Sequence, residues 1–334
     1  MRHNQKLFDY SHFRYPKDIA NFASFELFKH SEVPAWIHNY HVGMLKALRH
    51  ENMYLKEGSD SQEKVPFLLK LRKLVSEEAK YTVARFADFK NVNFINLGVS
   101  LNDSLDLITP LLEQGKLAKY VMASQSSMIN SQWVNTAQLL ASNYNVELQG
   151  DTLEANFDMQ SYPLAFSSLV PKDKQTANLF FLGDSVLGNH INPTRVLQNI
   201  HKSMASGDFL LISQGIYKPG SEGFWVGSFI NFLTLEKHFG VEKEFSQNLS
   251  PDYPTDTIWE EKNSFRGIKL RVEIQEPIKF GQVKFEEKQQ IDIFRTTMFT
   301  EAELKKIAFD LEFKVLQIVY GDSMDNALLF LQKD

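Results

Sequence analysis

The densest run of chemically capable residues is FLGDSVLGN at 181–189. It sets Gly183, Asp184, Ser185, Gly188 and Asn189 directly behind the apolar run ANLFFLG at 177–183. Glycines there let a ligand approach the backbone, and the Asp, Ser and Asn supply donors and acceptors. Gly98 ends a second apolar run, VNFINLG at 92–98, and a helical pattern follows it. Ligands of open α/β sheets sit outside the carboxyl ends of the strands, where such a glycine turn would stand. KYVMAS at 119–124 ends on Ser124, which with Gln125 can bond a ribose hydroxyl, more weakly than a carboxylate does. VELQG at 146–150 runs into Asp151, which is either an acceptor for an adenine amino group or a turn Asp capping the next segment. Asn189 can cap the helix that follows it or face a substrate carboxylate or amine.

Other chemistries have less support. Gly183-Asp184-Ser185 invites a hydrolase reading with Ser185 as nucleophile, as in the GDSL esterases. Those enzymes place the motif early and an Asp-x-x-His late; here no histidine follows His238. His38 and His41 stand three apart with His30 nearby, but no HExxH or carboxylate companion accompanies them, so they read as ordinary histidines. The chain has no cysteine, which excludes disulfides, thiolate metal sites and cysteine nucleophiles. The net charge of −5 lacks the basic excess of a nucleic-acid binder. MRHNQKLFDY has no apolar h-region, and no run approaches the roughly 20 apolar residues that a bilayer span needs. The expectation is a soluble cytoplasmic protein with no membrane or nucleic-acid partner and no metal.

The elements that must position these residues follow from hydrophobic period. A chain of 334 residues that is 43% hydrophobic can bury a sizeable core. Residues 65–89 read as one long amphipathic helix, with Phe67, Leu68, Leu71, Leu74 and Val75 at helical spacing. Short apolar runs at 92–98, 119–124, 146–150, 177–183 and 209–215 then alternate with helices at 101–117, 128–144 and 193–204, the first kinked or restarted at Pro110. Strands alternating with helices make a parallel sheet with right-handed crossovers. Residues 217–290 break the alternation with glycine-rich turns, a helix near 226–239, a polar loop at 251–256 and β-like segments at 266–275 and 278–286. The pattern resumes with a helix at 300–310 and strands at 314–320 and 326–332, a closing antiparallel hairpin.

Taken in order, these segments resemble the histidine-specific, S-adenosylmethionine-dependent methyltransferases, typified by the enzyme that trimethylates the α-amine of histidine in ergothioneine synthesis. FELFKHSEVPAW (25–36) looks like the family's N-terminal ELF…PEYY segment, and INLGVS (95–100) occupies the place of its ELGSGS loop. KYVMASQSS (119–127) is similar to its YVPVDIS strand, and Gly150-Asp151 to its GD pair. FLGDSVLGN resembles its GSTIGN segment, the strongest single match. ASGDFLLISQGIYK (205–218), FINFLTLEKHFG (229–240) and FRTTMFTEAEL (294–304) stand where the family has PGDRLLIGVDLVK, NLLxxxNRELG and ENSYKYTxEEL.

The resemblance implies an α/β, Rossmann-like class I methyltransferase fold with a second domain built from the N-terminus and a late insertion. It implies residues 1–64 and 217–297 as the substrate-recognition part, and 65–216 plus 298–334 as the methyltransferase domain. It implies S-adenosylmethionine as cofactor, with Gly98, Ser100, Ser124, Asp151, Gly183 and Asp184 on the cofactor side. Asn189, Phe294 and Thr296 would face a small amine or amino acid derivative. This sequence departs from the pattern at Asn96, Ser100, Ser124 and Gln214, each replacing a family acid or glycine. Phe294 and Thr296 replace the Glu and Ser that hold an imidazole, so histidine is not the expected acceptor. A catalytically silent member that keeps the fold for ligand binding or protein interaction is the alternative reading of the same replacements.

Overall fold

The computed structural model describes residues 67–98, 101–124, 127–171, 173–190, 192–226, 255–262, 265–273, 277–280, 283–322 and 324–334. The N-terminal segments discussed above, with His30, His38 and His41, lie outside these residues, as does Ser100.

Helix α1 (Phe67–Ala84) leads into a unit of β1 (Asn91–Leu97), α2 (Leu101–Glu113), β2 (Leu117–Ser124), α3 (Ser127–Ser142) and β3 (Gln149–Glu154). A second unit follows: α4 (Pro163–Leu169), β4 (Thr176–Leu182), a 3₁₀ turn (Val186–Asn189), α5 (Pro193–Ser203) and β5 (Phe209–Gly215). Late in the chain come β6 (Thr255–Lys262), β7 (Phe265–Glu273), β8 (Ile278–Phe280), β9 (Val283–Phe285) and β10 (Gln290–Thr297), then α6 (Glu301–Asp310), β11 (Phe313–Tyr320) and β12 (Asn326–Lys333).

Seven strands form the main sheet in the order β11-β12-β5-β4-β1-β2-β3. The pairs β1–β2, β2–β3, β1–β4 and β4–β5 are parallel, and β12 runs antiparallel between β5 and β11. This is the strand order of the class I, Rossmann-like methyltransferase fold. The winding direction reverses between β1 and β4, which opens a crevice beyond their carboxyl ends. The central strands are apolar because helices cover both faces: all of β5, and β4 from its second residue, are buried. Leu71, Leu74, Val75, Ala79 and Val83 make the buried stripe of α1. Asn192 caps α5, its side chain accepting from the Arg195 N–H, and Pro193 fills the first helical position. Thr300 and Glu303 form a reciprocal capping box on α6.

The structure revises several expected boundaries. Helix α1 stops at Ala84 instead of 89, and α2 runs on through Pro110. The third strand begins at Gln149, three residues later than its apolar pattern suggested, because it is an edge strand with half-exposed residues. The late segment forms a three-stranded antiparallel sheet, β10-β7-β6, plus the β8–β9 hairpin. Its strand β6 starts at Thr255, inside what the two prolines marked as a loop. Ile216 and Phe299 pair where the chain leaves and rejoins the main sheet. The helix expected over 226–239 lies almost wholly outside the described residues; a helical turn begins at residue 222.

Candidate functional site

The crevice at the reversal point is built first by Gly98. Its φ of +96° is a conformation that side-chain-bearing residues rarely adopt, and its N–H donates to the Ala123 carbonyl at 3.0 Å. A Cβ placed on it would lie 3.6 Å from Val186 Cγ1. The turn after β1 and the 183–189 segment are therefore side by side, as the sequence pattern expected.

On the β1–β2 side, Asn96, Tyr120 and Ser104 form one hydrogen-bonded group and Ser124 with Asn130 another, while the buried Asp103 stands in the first turn of α2. Asn96 is fully buried and donates from Nδ2 to the Tyr120 hydroxyl at 3.0 Å. That hydroxyl also bonds Ser104 at 3.2 Å, and burial pushes its pKa up to about 12. Ser124 donates from Oγ to Asn130 Oδ1 at 2.5 Å, while Asn130 Nδ2 donates to the carbonyls of Ser124 and Leu153. Asn130 thus ties the ends of β2 and β3 together. Asp151 is displaced from its expected place. It stands near the start of β3, level with Val121, and forms an ion pair with Lys119 at 2.6 Å. Glu154, at the end of the strand, is level with Ser124 and exposed.

The β4–β5 side holds strain. Asp184 and Ser185, behind Gly183, both have positive φ, 60° and 59°. The Asp184 N–H donates to Ser213 Oγ, and the Ser185 N–H to the Ser213 carbonyl. Ser185 Oγ accepts from Gln214 Nε2 at 2.6 Å and from the Gly215 N–H at 3.1 Å. A buried hydroxyl held by two such donors has no histidine beside it among its bonds, so the nucleophile reading fails. The 3₁₀ turn then runs under the end of β10. A Cβ on Gly188 would meet the Thr297 carbonyl at 2.4 Å and Thr296 Oγ1 at 2.8 Å. Thr296 thus lies against the residue next to Asn189, and both Thr296 and Asn189 are buried. Phe294 lies in the same strand, paired with Leu270. The cap of α5 is Asn192 and not Asn189, which leaves the Asn189 side chain out of that role.

Sequence reasoning passed over one pair. His190 follows the 3₁₀ turn directly, and its Nδ1 lies 2.8 Å from Asp158 Oδ2. The two are 32 residues apart, and no spacing rule joins them; the only signal was a histidine immediately behind the glycine-rich segment. Among the described residues no group of three His, Asp or Glu is placed to hold a metal ion, and no helix is long and apolar enough to cross a membrane.

No protein-family model matches the sequence, and no curated protein does. Solved structures match its shape. The CMeT domain of the citrinin polyketide synthase does so with a TM-score of 0.42 and 14% identity, over 77% of this chain and 52% of that one, so this chain spans about half of its length. The 1,6-didemethyltoxoflavin-N1-methyltransferase of Burkholderia thailandensis, crystallised with 1,6-didemethyltoxoflavin and S-adenosylhomocysteine, gives 0.42 and 10% identity over 96% of this chain and 91% of that one. The magnesium protoporphyrin IX methyltransferase of Synechocystis PCC 6803, with bound S-adenosylhomocysteine, gives 0.42 and 10% over 95% and 100%. At these values the assignment of the fold rests on strand order and not on the neighbours.

Proposed function

We propose that the chain is a divergent S-adenosylmethionine-dependent N-methyltransferase acting on a small amine or amino acid derivative other than histidine. The observation that carries this reading is the Gly98 turn, held at positive φ beside Val186 where the sheet reverses its winding. The order of segments shared with the histidine-specific methyltransferases supports placing it as a distant relative of that family.

The two glycine turns suit a nucleoside group by leaving the backbone approachable. Gly98 and Gly183 end the two strands that flank the crevice, and α2 starts three residues beyond Gly98. The carboxylate that would grip the ribose diol is replaced by Ser124, bonded to Asn130. A charge-assisted hydrogen bond is worth about 1.5–3 kcal/mol, so its absence weakens binding by about tenfold or more. On this reading Gly98, Ser124, Gly183 and Asp184 line the cofactor side, with Ser100 joining them by resemblance. Asp151 is left out, because Lys119 holds it at the other part of its strand. Asn189 and Thr296 face the acceptor, with Phe294 joining them by resemblance. Residues 1–64 and 217–297 would form the substrate-recognition part, and 65–216 with 298–334 the methyltransferase domain.

When bound, S-adenosylmethionine supplies an electrophilic methyl group on a sulfonium. The protein's own part is to align an amine lone pair with that methyl and to keep water away. Isothermal titration of the full chain with S-adenosylhomocysteine tests the reading. Saturable one-to-one binding is expected, lost in Gly98→Val; no heat at millimolar ligand sinks it and leaves the silent alternative.

A further inference from the structure

We infer that His190 and Asp158 form an acid–base dyad that takes the proton from the incoming acceptor; this rests on the methyltransferase reading above. β3 and β4 are separated in the sheet by β2 and β1. Asp158 is in the segment leaving β3, and His190 directly follows Asn189 in the segment leaving β4, whose Gly188 packs on Thr296.

The pair is built and not incidental. His190 is 7% exposed, and its Nδ1 faces Asp158 Oδ2 at 2.8 Å. A carboxylate on Nδ1 fixes the proton there and leaves the Nε2 lone pair available. No described residue bonds Nε2, and it is not among the buried polar atoms sealed from solvent without a partner. One helix holds both members in register. Asn192, two residues after His190, caps α5. From the same helix, Asn199 Nδ2 donates to the Phe157 carbonyl at 2.7 Å and Arg195 to the Met159 carbonyl at 3.1 Å, one on each side of Asp158. Asn156 Oδ1 accepts from the Asp158 N–H, and the Tyr162 N–H donates to Ser203 Oγ. Among the described residues, Asp158 and Arg195 are the charged groups bonded to these two segments.

An amine arrives at neutral pH as an ammonium, without a lone pair. His190 Nε2 accepts one N–H proton and becomes imidazolium, which Asp158 stabilises. The freed nitrogen lone pair forms the N–C bond, and the C–S bond breaks with its electron pair staying on sulfur. The products are the methylated ammonium and S-adenosylhomocysteine, and His190 returns its proton to solvent. The dyad therefore selects acceptors that must shed a proton, amines in this reading, over acceptors that enter as anions. Asp158 is a positioning residue in this scheme.

The test is long-range proton–nitrogen NMR of the full chain labelled in histidine, with His190→Gln assigning the ring by the loss of one signal set and Asp158→Asn assigning it independently should the first variant not fold. The Nδ1–H tautomer is expected at pH 8, a shift toward the Nε2–H tautomer in Asp158→Asn, and movement of the His190 ring signals when S-adenosylhomocysteine is added. An Nε2–H tautomer in the unaltered chain overturns the inference. So does calorimetric binding of S-adenosylhomocysteine that leaves the ring signals in place, a result that keeps the methyltransferase reading. Absence of that binding removes the reading and the inference together.

Discussion

At the ends of β1 and β2, buried amides and hydroxyls bond in two groups beside Asp103, a buried carboxylate in the first turn of α2. Asn96, Tyr120 and Ser104 form one neutral group, and Ser124 with Asn130 forms another. At the ends of β4 and β5, two successive residues sit at positive φ, a glycine is pressed against a neighbouring carbonyl, and a histidine meets a carboxylate. Strain and charge persist only where the surroundings over-determine them, and they gather where chemistry is done. On the methyltransferase proposal, the first half would hold the cofactor and the second would face the acceptor.

Gly188 separates the two halves most sharply. Replacing it with Ala puts a carbon 2.4 Å from the Thr297 carbonyl, which is backbone and gives way only by moving β10 off the 3₁₀ turn. A loss of about 3 kcal/mol is expected in urea unfolding. Gly98→Ala meets only a side-chain methyl at 3.6 Å and is limited to the positive-φ cost, about 1–2 kcal/mol. If the two variants unfold alike, β10 does not bear on the turn, and Thr296 drops out of the site.

Ser185 gives the next largest effect. Ser185→Ala leaves Gln214 Nε2 and the Gly215 N–H without their shared acceptor, at about 2–3 kcal/mol. Ser185→Gly loses the same bonds but relieves the φ of 59°, so it should be more stable than the Ala variant by about 1 kcal/mol. Equal unfolding midpoints would mean that this backbone is not strained.

The same contrast explains what the sequence made legible. β1, β4 and β5 are runs of apolar residues buried on both faces, so their limits were readable to within a residue. β3 is half-exposed, and its polar QGDTLE carries no apolar run to mark it, which is why Asp151 was set at the wrong end. TDTIWEEK hides β6 for the same reason. In the site, glycine density announced the 183–189 segment, because close backbone approach needs specific residues at adjacent positions. The His190–Asp158 pair left no such mark, since it is made by the order of strands and by α5 pinning the segment around Asp158. Likewise nothing in KYVMAS signals that Asn130 takes the Ser124 hydroxyl.

The smallest effect probes the first half. Tyr120→Phe removes the acceptor for Asn96 Nδ2 and a partner of Ser104 in a fully buried place, at about 1–2 kcal/mol near pH 8. Its pH dependence carries the sharper information. In the unfolded chain the phenol ionises near its ordinary 10.0, whereas burial holds the folded phenol protonated to about 12. The folded state therefore binds the proton more tightly. The contribution from this group is intact below pH 10 and drains away as pH rises toward 12, by about 2–3 kcal/mol in all. Tyr120→Phe lacks that decline, so the gap between the two proteins should narrow above pH 10 and can reverse. Urea midpoints at pH 8 and pH 11 measure it. A gap that stays constant would show that the Tyr120 hydroxyl reaches water.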